Sequence, residues 1–389
     1  MYFNFRTFIR AAYLSFFRWK DGPVRFSFKR ILSLIIFFTI FSLFQLFNFF
    51  CFLLDDIFYS AWRKLELVEP VFIIGNPRSG TTFIQRVMSI DETQFFFFRT
   101  WEIIFPAIIQ KKILSLCGHL DRRMGRLFSN FIKRVEARTF QNLNKMHGFS
   151  LFYPEEDDKL TLHIFSSMDL IWFFPFKEVT YSYSRFDELV DEKERQRIMT
   201  FYKNCIMRQA YFKGNKGRLL SKSPVLSPKL QSLSEYFPGC KFIWPVRNPL
   251  EVIPSMISMA EEVWRSAVEL KDDYPYSDIV YDTLSYFHKY LLKRFSEAPK
   301  NSYMIVKYDD LITTPSQVIK QIYNHFDFKI TGETINLLEE EEAKAKHYKS
   351  KHVYSLDQFN ITREQIISDF SAIFKKFEFS VEDDETNLK

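Results

Sequence analysis

The hydrophobic pattern of the chain begins with an uncharged run from Ile31 to Leu54. A helix over this run would be about 36 Å long, which exceeds the hydrocarbon core of a bilayer at about 30 Å. Basic residues dominate the sequence before the run, and Asp55 and Asp56 follow it directly. We therefore expect a basic N-terminal segment over residues 1–30, a hydrophobic membrane-associated segment over residues 31–54 and a connector over residues 55–69.

Two placements of the hydrophobic segment are open. If it spans a bilayer, the positive-inside rule puts the following domain outside the cytosol, in an extracytosolic or lumenal compartment. If it lies in the cytosolic leaflet, as one helix or as two half-length helices, the domain stays in the cytosol beneath a monotopic anchor. A cleavable signal peptide is not expected, because the run starts late and ends in acidic rather than small residues.

Further along the chain, short apolar runs alternate with helical patterns. Strands separated by helices predict an α/β fold in which a central parallel sheet lies between layers of helices. Between about residues 101 and 212 the pattern is mostly helical, and we expect this insert to cover the substrate of a catalytic domain over residues 70–389. The four runs predicted as strands are Val71–Ile74, Arg218–Lys222, Lys241–Val246 and Tyr303–Lys307.

The composition narrows the possible partners. The chain contains 46 Phe but only 10 Gly, a usage that suits a protein in contact with lipid. The net charge of +6 is modest, and Lys and Arg are spread along the chain, so nucleic-acid binding is not indicated. Binding of a small anionic ligand would account for the same surplus of positive charge. The four cysteines share no metal-ligand spacing, and we expect no metal site.

A glycine-containing loop, Gly75–Thr82, follows the first predicted strand and precedes a helical pattern. Its glycines have the spacing of a phosphate-binding P-loop, which predicts a P-loop-like three-layer fold. Backbone N–H groups of such a loop, together with the positive end of the next helix, bind an anion. The residues expected to contact this anion are Arg78, Ser79, Gly80, Thr81 and Thr82.

One position of the loop argues against a nucleoside triphosphatase. Thr81 stands where such an enzyme has a Lys on the transferring phosphate, and no Asp ends a predicted strand to hold Mg²⁺. A sulfuryl donor carries less charge on the transferring group and can be bound without a metal. The loop therefore favours a phosphosulfate donor over a nucleoside triphosphate.

A second motif follows the strand at Lys241–Val246. Arg247 leaves the carboxyl end of this strand, and Ser255 lies near the first turns of the next helix. Ligands of open parallel sheets bind at that edge, so an Arg and a hydroxyl there would bind a second phosphate. Together the two motifs predict a nucleotide with two separate anionic groups.

These motifs resemble those of the sulfotransferases that use 3′-phosphoadenosine 5′-phosphosulfate (PAPS), in the bacterial-type branch related to the tyrosylprotein sulfotransferases. The resemblance runs from about Glu69 to Phe377. Within it, Pro77–Thr82 matches the 5′-phosphosulfate loop of the family, and Arg247–Ser255 matches its 3′-phosphate motif. The resemblance implies PAPS as co-substrate, with adenosine 3′,5′-bisphosphate as its product.

Further segments resemble landmarks of the same family. Leu220–Pro224 carries Lys222 at the position of a Lys that bridges the donor, and Tyr308 stands where the family has a Tyr near the nucleotide. The stretch around Lys351 is similar to a nucleotide-contacting segment near the C-terminus. The resemblance thus implies that Lys222 and Arg78 stabilise charge on the sulfuryl group and that Tyr308 and Lys351 contact the nucleotide.

The base that accepts the proton of the acceptor hydroxyl has two candidates. Glu102 lies in a segment that resembles the one with the catalytic Glu of the tyrosylprotein branch, and we expect it to be the base. The acidic cluster Glu155–Asp158 competes with it, and similar bacterial sequences also carry such a cluster. Two histidines, His147 and His163, are further candidates but lie outside any matching motif.

The sequence thus predicts a PAPS-dependent sulfotransferase that modifies a hydroxyl-bearing acceptor at or near a membrane. A Phe-rich insert and a lipid-facing segment favour a lipid-like acceptor. Two alternatives remain: a P-loop kinase-like phosphotransferase and a catalytically silent, nucleotide-binding membrane scaffold. The missing Lys at Thr81 opposes the first of these.

Overall fold

The computed structural model describes most of the chain. The chain after the N-terminal helices is built on a parallel sheet of five strands. The described residues are 2–25, 27–127, 129–131, 134–135, 150–268, 270–332, 334–336, 338 and 356–381. The strands are β1 (Val71–Ile73), β2 (Phe95–Phe96), β3 (Arg218–Lys222), β4 (Lys241–Val246) and β5 (Tyr303–Lys307). In the sheet they lie in the order β2-β3-β1-β4-β5.

Helices pack on both faces of this sheet. The α-helices whose two ends are described are α1 (Phe5–Phe17), α2 (Phe28–Phe58), α3 (Thr81–Met88), α4 (Thr100–Ile104), α5 (Ile108–Arg123), α6 (Lys177–Thr180), α7 (Phe186–Leu189), α8 (Glu192–Phe212), α9 (Leu230–Tyr236), α10 (Pro249–Ala267), α11 (Ser277–Glu297), α12 (Tyr308–Thr313), α13 (Pro315–His325), α14 (Arg363–Asp369) and α15 (Ser371–Phe377). Short 3₁₀ helices lie at Trp19–Asp21, Ser60–Lys64, Asp157–Ile164, Met168–Trp172, Tyr183–Arg185, Pro224–Lys229, Lys300–Ser302 and Leu356–Phe359.

The alternation of side chains along β1 divides the core into two layers. Phe72, and Ile74 directly after the strand, face a large cluster that includes residues of α8, α10 and α11. Val71 and Ile73 face the other side, where they pack with residues of α3 and α13. All four side chains are fully buried, as expected for a strand covered on both faces. The predicted three-layer α/β fold with a central parallel sheet is therefore confirmed.

The insert between β2 and β3 is largely helical, as predicted, in the part of it that the structure describes. Its acidic segment is tied to the sheet through Asp157, whose carboxylate accepts hydrogen bonds from Tyr202 on α8 and from Ser221 on β3, both at 2.7 Å. The insert is therefore held against the carboxyl end of β3, where parallel sheets place their ligands.

The hydrophobic N-terminal segment forms one helix, α2, of 31 residues. It is long and apolar enough to cross a membrane when judged by length and composition. The alternative of two half-length helices is wrong, because the polar residues Gln45 and Asn48 do not interrupt the helix. Both side chains lie close to Nδ1 of the insert residue His163, with Asn48 Nδ2 at 3.3 Å and Gln45 Oε1 at 3.1 Å. A further helix, α1, lies in the basic segment before it.

Candidate active site

The loop after β1 is fixed by close packing. Gly75 donates its N–H to Ser227 Oγ at 2.9 Å, and the same hydroxyl donates to the Gly75 carbonyl at 3.0 Å. Gly75 has φ +134°, and a Cβ there would lie 2.8 Å from Cδ1 of Trp244. Only glycine combines this backbone conformation with so close an approach.

Near the end of the loop, Gly80 directly precedes α3. Gly80 has φ +90°, and a Cβ on it would lie 2.7 Å from Cδ2 of Leu311. The next residue, Thr81, begins the helix, so the free N–H groups of its first turn adjoin the loop. Ser79 is completely buried, and its Oγ has no hydrogen-bond partner among the described residues. A buried hydroxyl of this kind suits a loop that receives an anionic ligand.

The second motif lies directly against this loop. Arg78 Nε donates to Ser255 Oγ on α10 at 3.1 Å, and Arg247 Nη1 donates to the Arg78 carbonyl at 3.1 Å. The Arg247 guanidinium lies 4.2 Å from the ring centroid of Tyr308. Four residues that the sequence assigned to one nucleotide, from three distant stretches of the chain, are thus in direct contact.

Lys222 ends β3 beside the loop. It is the register partner of Ile73, two residues before Gly75. Its Nζ donates to Glu156 Oε1 at 2.7 Å, and only 5% of the lysine side chain is exposed. This ion pair brings a cation and a carboxylate together at the edge of the sheet where the loop begins.

The four carboxylates of the acidic segment Glu155–Asp158 lie in two different environments. Asp157 and Asp158 face the core: Asp157 accepts the hydrogen bonds from α8 and β3, and Asp158 pairs with the buried Lys229. Burial raises the pKa of Asp157 to about 6. Glu155 and Glu156 face a pocket instead. Two of the four carboxylates therefore border the pocket.

The pocket has a volume of about 390 Å³ and two unlike ends. Its polar end contains loop and α3 residues together with charged residues of the insert and β3. Its remaining walls are mostly apolar and come from Val225, α10, α11 and the apolar residues of Met168–Trp172. The polar lining includes Thr82, Arg86, Glu155, Glu156, Lys159, Asp169 and Lys222, and the apolar lining includes Ile171, Trp172, Val225, Met256, Met259, Val263, Trp264, Val280, Leu284 and Phe287.

Asp169 is a pocket residue that the sequence analysis missed. Its Oδ1 accepts from Trp172 Nε1 at 3.3 Å, while its Oδ2 has no hydrogen-bond partner among the described residues. Burial raises the pKa of Asp169 to about 7, although Lys159 opposes the shift. Burial also disfavours the charge of Lys159, but the carboxylates of Glu155 and Glu156 outweigh it, and the pKa of Lys159 is raised. No motif marks Asp169, because its position depends on the folding of the insert.

Replacement of Asp169 by Asn should alter how stability depends on pH. A carboxyl group whose pKa is raised on folding stabilises the native state below the unfolded pKa, near 4, and this contribution is lost as pH rises through about 7. Asn has no such loss. The melting temperature of Asp169→Asn relative to the original chain should therefore rise between pH 4 and 7, measured by calorimetry. A difference that stays constant over this range would contradict the assignment.

Glu102 lies outside this pocket. It is completely buried at the start of α4, where its Oε2 accepts from the backbone N–H of Arg99 and from Gln209 Nε2, both at 2.8 Å. Its Oε1 pairs with Lys213 at 2.7 Å. Both of its oxygens therefore accept from donors in the protein core.

The remaining predicted site residues have different placements. His163 packs beneath α2, where its Nε2 donates to the Ile103 carbonyl at 2.8 Å and burial lowers its pKa to about 4. Thr81 is buried at the first position of α3, and Thr82 lines the pocket. His147 and Lys351 lie outside the described residues.

Comparison with known proteins identifies the family. A model of the sulfotransferase family matches residues 70–332. The chain belongs to the sulfotransferase family. The matched residues contain all five strands, the loop and the pair formed by Lys222 and Glu156.

Individual sulfotransferases are distant relatives. The chain is 24% identical over 264 residues to the omega-hydroxy-beta-dihydromenaquinone-9 sulfotransferases Stf3 of Mycobacterium bovis and of Mycobacterium tuberculosis. The match covers 66% of this chain and 62% of each relative, so the chain spans about three fifths of the length of these curated proteins.

Solved sulfotransferase structures share the fold. The structure of STF9 from Mycobacterium avium superposes with a TM-score of 0.69 at 19% identity, over 85% of this chain and 82% of that one. STF1 from Mycobacterium tuberculosis gives a TM-score of 0.61 at 17% identity, over 82% and 80% of the two chains. At such identities the likeness concerns the fold.

Proposed function

We propose that this sulfotransferase-family chain transfers a sulfuryl group from PAPS to a hydroxyl group of an amphiphilic acceptor. One observation carries the proposal. A single pocket is bordered by the anion-binding loop at one end, by the pair of Glu156 and Lys222 beside it, and by apolar walls elsewhere. A hydroxyl presented by an apolar molecule would thus meet a base, a cation and the donor loop together.

The donor would be bound at two anionic groups. The 5′-phosphosulfate fits the loop, where backbone N–H groups at the start of α3, the Arg78 guanidinium and the buried Ser79 hydroxyl can donate to it. The 3′-phosphate fits the junction of Arg247 and Ser255, which already contact the loop through Arg78. Tyr308 lies against Arg247 and would border the nucleotide.

Glu156 is the base that the geometry favours over Glu102. Its carboxylate lines the pocket, whereas that of Glu102 is surrounded by protein donors. In the transfer, Glu156 accepts the proton of the acceptor hydroxyl while the new S–O bond forms. The bond from sulfur to the oxygen of the 5′-phosphate breaks, and the electron pair stays on that oxygen, yielding adenosine 3′,5′-bisphosphate.

Lys222 would stabilise the leaving group in the same step. Its ammonium group has three N–H donors, of which one is used by Glu156. The others can reach oxygens of the phosphosulfate, where negative charge grows as the leaving phosphate departs. Arg78 would stabilise the same charge from the loop. Neutralisation by two cations lowers the barrier without any further co-reactant.

The acceptor is inferred from the pocket walls. Apolar residues of α10 and α11 form most of the lining away from the charged end, which suits a hydrophobic body with one hydroxyl. The relatives named above act, according to their names, on omega-hydroxy-beta-dihydromenaquinone-9. A lipid-like molecule with a terminal hydroxyl is therefore the acceptor class that we propose.

Ligand titration and product analysis test this function. Calorimetry should show binding of adenosine 3′,5′-bisphosphate at least 100-fold tighter than ATP, about 2.7 kcal/mol. Incubation with ³⁵S-labelled PAPS and a lipid extract should yield labelled lipid. Labelled phosphate transfer from ATP would instead support a kinase-like activity. Bisphosphate binding without transfer to lipids or to a panel of hydroxyl compounds would favour a silent scaffold.

A further inference from the structure

Helix α2 exposes a continuous apolar stripe. Eight residues at spacings of three and four carry it, and their exposed fractions lie between 37% and 69%. Of the 31 residues of this helix, only Leu34, Asn48, Cys51 and Asp55 are buried. A soluble protein seldom exposes apolar surface of this extent without a partner. The stripe consists of Leu32, Ile36, Ile40, Leu43, Phe47, Phe50, Leu54 and Ile57.

Two neighbouring helices expose similar stripes. Helix α1, which packs on α2 through Phe8 and Phe38, exposes a stripe with a spacing of four. Helix α5, whose N-terminus is capped by Asp55 of α2, exposes another that continues beyond its end. We call these three stripes the apolar face. Its members on α1 are Phe5, Ile9, Tyr13 and Phe17, and those on and after α5 are Ile113, Leu116, Leu120, Met124, Leu127 and Phe131.

The opposite side of α2 is attached to the catalytic domain along most of its length. Near its start, Phe37 stacks on Phe173 at 5.7 Å. Near its end, the Asp55 carboxylate accepts from the N–H groups of Ile108 and Ile109 and pairs with Arg208. These contacts extend over about 27 Å of helix, nearly the whole hydrocarbon thickness. A spanning α2 would draw charged parts of the domain to the same depth, at a large desolvation cost.

The charge around the apolar face suits an anionic lipid leaflet. Between Tyr2 and Lys64 the chain has nine basic and three acidic residues. Of the acidic residues, Asp21 and Asp56 are paired with arginines and Asp55 is buried. The exposed Arg6 and Arg10 each follow a stripe residue of α1, so their charged ends can extend to lipid head groups.

We propose that the apolar face lies flat in one leaflet of an anionic membrane and that α2 does not cross it. The active-site pocket lies close to α2, because Trp172 lines the pocket and the next residue, Phe173, packs on the side of α2 that is attached to the domain. An amphiphile could then pass from the leaflet to the pocket without crossing water. The proposal concerns membrane placement and stands independently of sulfuryl transfer.

Depth measurements on the full chain test this placement. Leu32→Cys, Leu43→Cys and Leu54→Cys are each labelled with an NBD fluorophore in a Cys117→Ser background, since the other three cysteines are buried. The proteins are added to vesicles of phosphatidylcholine with 30% phosphatidylglycerol and quenched by lipids spin-labelled at two depths. All three labels should report similar, shallow depths, within about 10 Å of the head groups.

Other outcomes would overturn the proposal. A label at position 43 near the bilayer midplane, with labels at 32 and 54 near opposite surfaces, would show a spanning helix. Absence of quenching, together with concentration-dependent dimerisation in light scattering, would show that the face binds a second copy. As a control, Leu189→Cys labels an exposed leucine on α7 outside the face and should not be quenched.

Two further variants measure the affinity of the apolar face for vesicles. Leu43→Glu with Phe47→Glu should lower vesicle partitioning at least tenfold, because two exposed apolar contacts become charged. Leu189→Glu changes a leucine that is 51% exposed, against 64% for Leu43 and 50% for Phe47, and should leave partitioning unchanged. Equal binding of both variants would contradict the proposed face. Melting temperatures show whether each variant is folded.

Discussion

Lys222→Met should lower kcat for sulfuryl transfer by about 10²–10³-fold, the range typical of removing one donor to transition-state charge. Methionine keeps an unbranched apolar side chain in the tight space beside Ile73, where only 5% of the lysine side chain is exposed. The bound anionic groups of the nucleotide would still meet the loop and Arg247. Binding of adenosine 3′,5′-bisphosphate, measured by calorimetry, should therefore change by no more than about threefold, well under 1.4 kcal/mol.

Lys229→Met provides the matched control for this prediction. Lys229 is also buried and also paired with an acidic residue of the same segment, Asp158, but it does not line the pocket. Its loss leaves a buried carboxylate unpaired and should lower the melting temperature, while kcat per folded molecule stays near the original value. A similar loss of kcat in both variants would mean that Lys222 acts only by stabilising the acidic segment.

The main strands could be predicted because each is a short run rich in apolar residues, mostly buried in β1, β3 and β4 and partly buried in the edge strand β5. Three of them, Arg218–Lys222, Lys241–Val246 and Tyr303–Lys307, have the predicted bounds, and β1 ends one residue earlier. The two-residue strand β2 was missed, since Phe95–Phe96 lies in a run of four Phe whose pattern has no period. It is defined only by pairing with Arg218 and Leu219, a contact between distant parts of the chain.

In the N-terminal helices, composition alone does not predict which residues contact the rest of the protein. Gln45 and Asn48 weaken the apolar pattern of the hydrophobic segment, yet both face partners on the catalytic domain. Asn48 accepts from Gln110 Nε2 at 2.7 Å, and this contact cannot be inferred without the tertiary fold. The polar interruptions of α2 are thus the residues that attach it to the domain.

In the candidate site, too, the residues that follow a local sequence pattern could be predicted and those that depend on tertiary contacts could not. Residues close in sequence to a strand end could be predicted, since the loop, Lys222 and Arg247 all leave the carboxyl edge of one parallel sheet. The base could not be chosen in this way. Glu102 and Glu156 each lie at the start of a helical turn, and only the direction of the side chain decides which one reaches the pocket.

Glu156→Gln and Glu102→Gln should separate the two candidate bases. Glu156→Gln removes the proton acceptor but keeps the shape of the side chain and a hydrogen-bonding oxygen near Lys222, so kcat should fall by about 10²–10⁴-fold. Glu102→Gln removes the buried partner of Lys213 and should mainly lower the melting temperature, because the partly buried ammonium group of Lys213 loses its counter-charge.

Single-turnover rates with labelled donor, corrected for the folded fraction, distinguish these outcomes. The rate of Glu156→Gln should lose the acidic limb of the pH profile that a general base produces, while Glu102→Gln keeps it. The opposite result, with transfer abolished in Glu102→Gln and retained in Glu156→Gln, would restore Glu102 as the base. It would also require the α4 carboxylate, now bound by Gln209 and Lys213, to turn toward the pocket when the donor binds.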